Sequence, residues 1–190
     1  MEVDRRRQFT DFMWEHGAGQ FAIENVDVLD SMGFFTSPAS TRFHGDYVGG
    51  LFDHSLEVAK ALVDITEKMG LGWMDPRSPA LIGMCHDLCK CDKYRKSNIP
   101  QGYSDVETPQ KQVTVWEYVN KTLLSGHGDK SAMIAGTLTR LTLEEMLCIR
   151  YHMGAYEKDD WDGYDLAIKR CPNVLWTHTA DMVASKIVGI

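Results

Sequence analysis

The stretch GGLFDHSLEVAKALVDITEKMG, residues 49–70, decides the fold. Leu51, His54, Leu56, Val58, Ala59, Leu62, Val63 and Ile65 fall largely on one side at a period of 3.6, the pattern of an amphipathic helix with a broad apolar face. The helix is expected to end near Met69-Gly70, because glycine is the usual residue just past a helix C-terminus. One member of that face is out of character. His54 is an imidazole among packing residues, and taken alone a histidine there is more often a hydrogen-bonded core side chain than a ligand.

Helical patterning continues on both sides. Upstream it covers Arg5 to Glu15, closed by Gly17 and Gly19, and about Gln20 to Ser31, stopping at Gly33; residues 34–39 read as a loop broken by Pro38. Downstream, Ser78 reads as an N-cap with Pro79 at the first helical position, opening a helix from Ala80 to about Lys90. From Cys91 to Gly128 the pattern weakens. Asn98 to Gly102 and Thr108-Pro109 mark loops, while Val113 to Val119 alternates and suits a short strand or hairpin. Helices resume over Lys130 to Arg140, Thr142 to His152, about Tyr164 to Arg170, and Pro172 to about Val188. Thr142 and Glu145 form a capping box. The expected fold is an all-α bundle with a loop or hairpin excursion around 91–128. It is a single domain over 1–190, with helices in 1–33 packing on a core in 34–190.

Composition narrows the function. The 190 residues are 44% hydrophobic and 25% charged, ordinary for a soluble globular chain, and the net charge is −7. An acidic balance argues against an extended nucleic-acid surface, which needs a basic field, but leaves room for a small basic pocket. Cys85, Cys89, Cys91, Cys148 and Cys171 are too few and too unevenly spaced for a disulfide framework. The first three suit buried thiols better than a structural zinc site. The start, MEVDRRRQF, lacks the apolar run of a signal peptide, and no segment approaches a membrane span. A reduced cytoplasmic protein with no membrane partner is expected; a homo-oligomer stays open.

Chemistry enters with His86-Asp87, which follows the apolar run Ala80-Leu81-Ile82-Gly83-Met84-Cys85. Burying both beside such a run is costly without a partner, and imidazole with carboxylate suits a divalent metal. Asp181 sits among Ala180, Met182, Val183 and Ala184. Alone it reads as well as a buried partner for a lysine or a backbone group. Three helices thus carry ligand-type side chains where packing residues belong, and facing helices of a bundle are the usual place for such a site.

Gly49-Gly50-Leu51-Phe52-Asp53-His54, then Cys85-His86-Asp87-Leu88-Cys89-Lys90, then Ala180-Asp181, resemble the H…HD…D signature of the HD-domain superfamily of metal-dependent phosphohydrolases. The resemblance spans about Phe34 to Ile190 and is particularly similar to the compact HD domain of some 3′–5′ exoribonucleases. It implies His54, His86, Asp87 and Asp181 as metal ligands. His127 and His152 match the placement of two further family histidines, and imply a second metal or direct phosphate contacts. Two departures stand out. About 40 residues precede the motif, with no nucleic-acid-binding barrel among them, and Tyr151 stands before His152 where the cyclic-dinucleotide branch carries a His-His pair.

The expected activity is hydrolysis of a phosphoester or phosphoanhydride in a nucleotide or similar small phosphorylated substrate. Alternatives are a 3′–5′ exonuclease acting on short oligonucleotides and a non-catalytic nucleotide-binding module. One or two divalent ions (Mn, Fe, Co, Ni, Zn or Mg) would neutralise phosphoryl oxygens and acidify water. Asp87, Lys90 and His127 are the expected catalytic groups. Arg42, His44, Lys90, Lys93, Tyr94 and Arg95 are the expected substrate contacts, although Lys93 to Lys96 would also suit a solvated helix end. Tyr47, Tyr94, Tyr103, Trp116, Tyr156 and Trp161 are candidates for stacking on a base.

Overall fold

The structure is a computed structural model that describes residues 4–40, 45–100, 112–156 and 160–190, with backbone alone for 98–100 and 112–115. It is mostly α. In chain order the helices are α1 (Arg5–Glu15), α2 (Gly19–Ser31), α3 (Gly50–Met69), α4 (Ser78–Cys85), α5 (Gly128–Leu138), α6 (Leu143–Arg150), α7 (Trp161–Arg170) and α8 (Asn173–Met182). Two strands, β1 (Tyr94–Pro100) and β2 (Gln112–Tyr118), pair antiparallel with Tyr94 opposite Tyr118. No helix among the described residues is long and apolar enough to cross a membrane.

Burial explains the arrangement. Leu51, Phe52, Val58, Ala59 and Leu62 of α3 are fully buried, and α3 packs against α4, whose residues are all buried. A ring cluster joins the first two helices to this centre. Phe9 packs edge-on against Phe21, Phe34 and Phe35, and Phe34 packs against Phe52. Each fully buried phenylalanine contributes about 1.5–3 kcal/mol. Arg5 adds a bidentate pair to Asp53 in the first turn of α3, at 2.8 and 2.9 Å, where an acidic residue suits the helix dipole. The Thr142–Glu145 capping box closes reciprocally at the start of α6.

Four expectations need correction. Ser78 is inside α4 and Arg77 is its N-cap, because the Ser78 hydroxyl donates instead to the buried Glu145 carboxylate, at 3.0 Å. The helix expected to reach Lys90 ends at Cys85, and Leu88–Lys90 forms a separate 3-10 turn. Asp87, at φ −112° and ψ 18°, leaves the helical path between them. The run Lys93 to Lys96 is no helix end. Tyr94 to Lys96 lie in β1, and the loop expected from Asn98 begins inside that strand, because β2 supplies its pairing partner from outside the local sequence. Finally, α8 stops at Met182 and the chain continues as a π-helical turn over Val183–Val188.

Candidate functional site

Two close helix crossings build the site. At the first, Gly83 of α4 lies against Ala59 of α3; a Cβ on Gly83 would fall 2.3 Å from the Ala59 Cα. This approach sets His86, just past α4, against His54 of α3, with their Nε2 atoms 3.3 Å apart. At the second, Gly128 opens α5 against the end of α6; a Cβ there would fall 1.8 Å from the Arg150 carbonyl oxygen. This sets His127 beside His152, ring centroids 5.1 Å apart. Glycine at both points is a requirement of spacing.

The backbone fixes the ring orientations. His54 Nδ1 lies 2.8 Å from the Ile190 carbonyl oxygen, His86 Nδ1 2.7 Å from that of Gly83, and His152 Nδ1 2.7 Å from that of Ile149. A carbonyl only accepts, so each Nδ1 carries the proton and each Nε2 presents its lone pair. Those lone pairs face inward toward Asp87. Facing lone pairs repel unless a proton or a metal cation lies between them, and a backbone acceptor on the far nitrogen is the usual support of a metal-binding imidazole.

Asp87 is the hub. Its Oδ2 lies 3.5 Å from His86 Nε2, 3.6 Å from His54 Nε2 and 2.6 Å from Lys90 Nζ. Its Oδ1 lies 2.8 Å from His127 Nε2 and 3.7 Å from His152 Nε2. Asp181 approaches from α8, with Oδ1 3.2 Å from His54 Nε2. Burial leaves two atoms unsatisfied: Asp87 Oδ1 and His152 Nε2 have no well-directed hydrogen bond. Orphaned buried polar atoms are uncommon and call for an explanation. A divalent cation supplies one, and His54, His86 and Asp87 could hold it; so could Asp87, Cys89 and His127.

Electrostatics agree with the geometry. Burial disfavours the Asp87 carboxylate, yet Lys90 and His86 outweigh it and hold its pKa well below the ordinary value. Asp181 is likewise depressed, with burial overcome by His54, whose Nε2 lies against its Oδ1, and by His86 and His152. Burial lowers His86 and takes His127 down to about 4. His152 moves the other way: burial opposes its charge, but Asp87 and Asp181 raise it. Lys90 is also raised, since Asp87 outweighs the cost of burying it.

A cavity of about 450 Å³ opens on the cluster. Asp87, Lys90, Lys93, Tyr94, His127 and Asp181 line it, as do Ser40, Tyr156, Ser185 and Lys186. Arg95 is not among them; it pairs with Glu117 across the exposed hairpin, at 3.1 Å. Arg42, His44 and Tyr103 lie outside the described residues. Trp116 carries Lys96 over its ring on the hairpin, and Trp161 packs on Tyr164. A larger groove of about 960 Å³ runs past Met74, Leu143 and Leu166 and contains none of the clustered side chains.

Sequence reasoning missed three supports. Cys89, read as a buried packing thiol, has its Sγ 3.3 Å from His127 Nδ1; burial raises its pKa to about 11. His178 donates to the His152 carbonyl oxygen at 2.8 Å; its place three residues before Asp181, on one face of α8, was the available signal. The Ile190 carbonyl that holds His54 had no signal, being 136 positions away. Compared with family models, with curated proteins and with solved structures, the chain matches none of them, so its candidate site is defined by the geometry of its own residues.

Proposed function

We propose that this chain is a metal-dependent phosphohydrolase acting on a nucleotide or a similarly small phosphorylated substrate. One observation carries the reading: imidazole Nε2 atoms and two carboxylates converge at the floor of a lysine-lined cavity. His54, His86, Asp87 and Asp181 would hold one divalent ion. Asp87 Oδ1, His127 and His152 would hold a second. Mixed imidazole and carboxylate donors favour Mn, Fe, Co, Ni or Zn. Such an ion, when bound, supplies Lewis acidity toward phosphoryl groups and water.

The chain's own residues supply the rest. Lys90 keeps its proton because Asp87 raises its pKa, so it serves as a fixed positive charge and not as a base. His127, held neutral by burial, suits a ligand better than a proton donor. Lys93 and Lys186 also line the cavity and would hold the remaining phosphate charge. Tyr94 and Tyr156 offer ring faces for a base. The cavity volume falls in the range of small-ligand sites, and a chain of net charge −7 offers no broad basic track for a polynucleotide strand.

The test is direct. Purified protein, stripped and reloaded with Mn, Co, Ni, Zn or Mg, should bind one to two ions per chain by calorimetry and release phosphate from some member of a nucleotide panel. His86→Ala should abolish both. A folded protein that binds no ion, or binds ions and hydrolyses nothing in a broad panel of phosphoesters, ends this reading.

A further inference from the structure

The two faces of Asp87 differ in one atom type. Among the described residues, nitrogen and oxygen groups gather at Oδ2: His54, His86 and the Lys90 ammonium, with Asp181 against His54. At Oδ1 stand His127 and His152, with the Cys89 thiol against His127 and within 4.8 Å of the Asp87 carboxylate. We propose that Cys89 supplies a sulfur ligand to the cation position at Asp87 Oδ1, and that this position selects a thiophilic divalent ion (zinc, ferrous iron or cobalt) over magnesium. The inference rests on the reading that the cluster binds metal and adds which element it takes.

Donor spacing supports it. A tetrahedral ion with bonds of about 2.0–2.3 Å keeps its donors about 3.3–3.6 Å apart. Here Asp87 Oδ1 is 2.8 Å from His127 Nε2 and 3.7 Å from His152 Nε2, and Cys89 Sγ is 3.9 Å from His127 Nε2. These separations bracket the ideal edge, and ligand atoms of Asp87, Cys89 and His127 all lie within 4.8 Å of one another. A second observation points at the same spot. Asp87 Oδ1 and His152 Nε2 are buried there with no well-directed hydrogen bond, on side chains 3% and 1% exposed, although His127 Nε2 lies 2.8 Å from Oδ1. The thiol is held in place, since the Cys89 backbone N–H donates to Ser131 Oγ at 3.1 Å and Leu88–Lys90 forms a 3-10 turn around it.

Chemistry gives the selectivity. A thiolate is a soft donor that favours zinc or iron and gives little to magnesium. On binding, the S–H bond breaks heterolytically: the proton leaves to solvent and the sulfur pair forms the bond to the ion. The competing arrangement is a thiol that only hydrogen-bonds to His127 Nδ1, 3.3 Å away.

The full chain titrated with Co(II) distinguishes them. Sulfur ligation should give an intense charge-transfer band in the near ultraviolet beside the weaker visible bands. Cys89→Ser should remove that band, leave visible bands from the Oδ2 position, and weaken zinc binding by about tenfold or more. Cys91→Ser should keep it. Zinc-edge X-ray absorption of the unmutated chain should find a sulfur scatterer at about 2.3 Å, which needs no variant to fold. Cobalt bound without the band, a band that survives Cys89→Ser, or a zinc edge with nitrogen and oxygen alone would overturn the sulfur ligand and leave metal-dependent hydrolysis standing. Failure to bind any ion would remove both.

Discussion

The two helix crossings follow one construction and arrive at different sites. At the α3–α4 crossing, a glycine lets two helices touch, and both imidazoles, His54 and His86, donate Nδ1–H to backbone carbonyls. At the α5–α6 crossing, a glycine again permits the contact, but only His152 is anchored to a carbonyl. His127 Nδ1 meets a thiol and, at 3.5 Å, the Lys93 ammonium. The first pair is 1% and 0% exposed, whereas the His127 side chain is 19% exposed and borders the cavity. Backbone-anchored rings in a dry core are rigid donors. A ring held by side chains at a cavity edge can adjust to what enters. Under the proposed function, one half would retain an ion and the other would respond to substrate.

The largest effect should come from the residue both halves share. Asp87→Asn keeps the shape but removes the charge, leaving buried Lys90 uncompensated. We expect loss of ion binding at both positions, no measurable hydrolysis, and a stability loss of about 3–5 kcal/mol by chemical denaturation. If ions still bind at one half, Asp87 does not join them.

Next come the glycines. Gly83→Ala and Gly128→Ala each force a methyl into backbone already in contact, costing about 1–3 kcal/mol. Gly83→Ala should mainly weaken the ion held by His54 and His86. Gly128→Ala should mainly disturb His127 and His152. Calorimetric titration of both variants checks this, and equal losses at both positions in either variant would erase the distinction.

Smallest is the pH response of chelator-treated protein. His127 titrates at about 4 when folded, below its ordinary 6.5. Its contribution is therefore complete above about pH 6.5 and lost as pH falls toward about 4, because the unfolded chain binds the proton first. Lowered His86, Asp87 and Asp181 act in the same direction. Raised His152 acts oppositely, adding stability below its unfolded pKa that is lost as pH rises through its folded one. The melting temperature should fall on acidification through that window. A His127→Gln variant should flatten the fall, and an unchanged slope would show that His127 does not sense its surroundings as the geometry implies.

Some of this was legible in the sequence. The periodicity of 51–65 and the Thr142–Glu145 box are local signals, and α3 and α6 follow them. His54, His86, Asp87 and Asp181 stood out as polar groups in apolar helices. What escaped was set by contacts between distant segments. The break after Cys85 comes where a buried carboxylate must turn toward four imidazoles. Tyr94 to Lys96 looked like a charged helix end because their strand partner lies about twenty residues further along. Cys89 looked like packing because nothing in the residues beside it indicates that His127 will fold against it.

The grip of the Ile190 carbonyl on His54 reaches across 136 positions of the chain. Whatever loosens the backbone around residue 190 would therefore release that ring without altering a single cluster side chain. The orientation of one imidazole is thus a remote reporter of whether the far segment has docked.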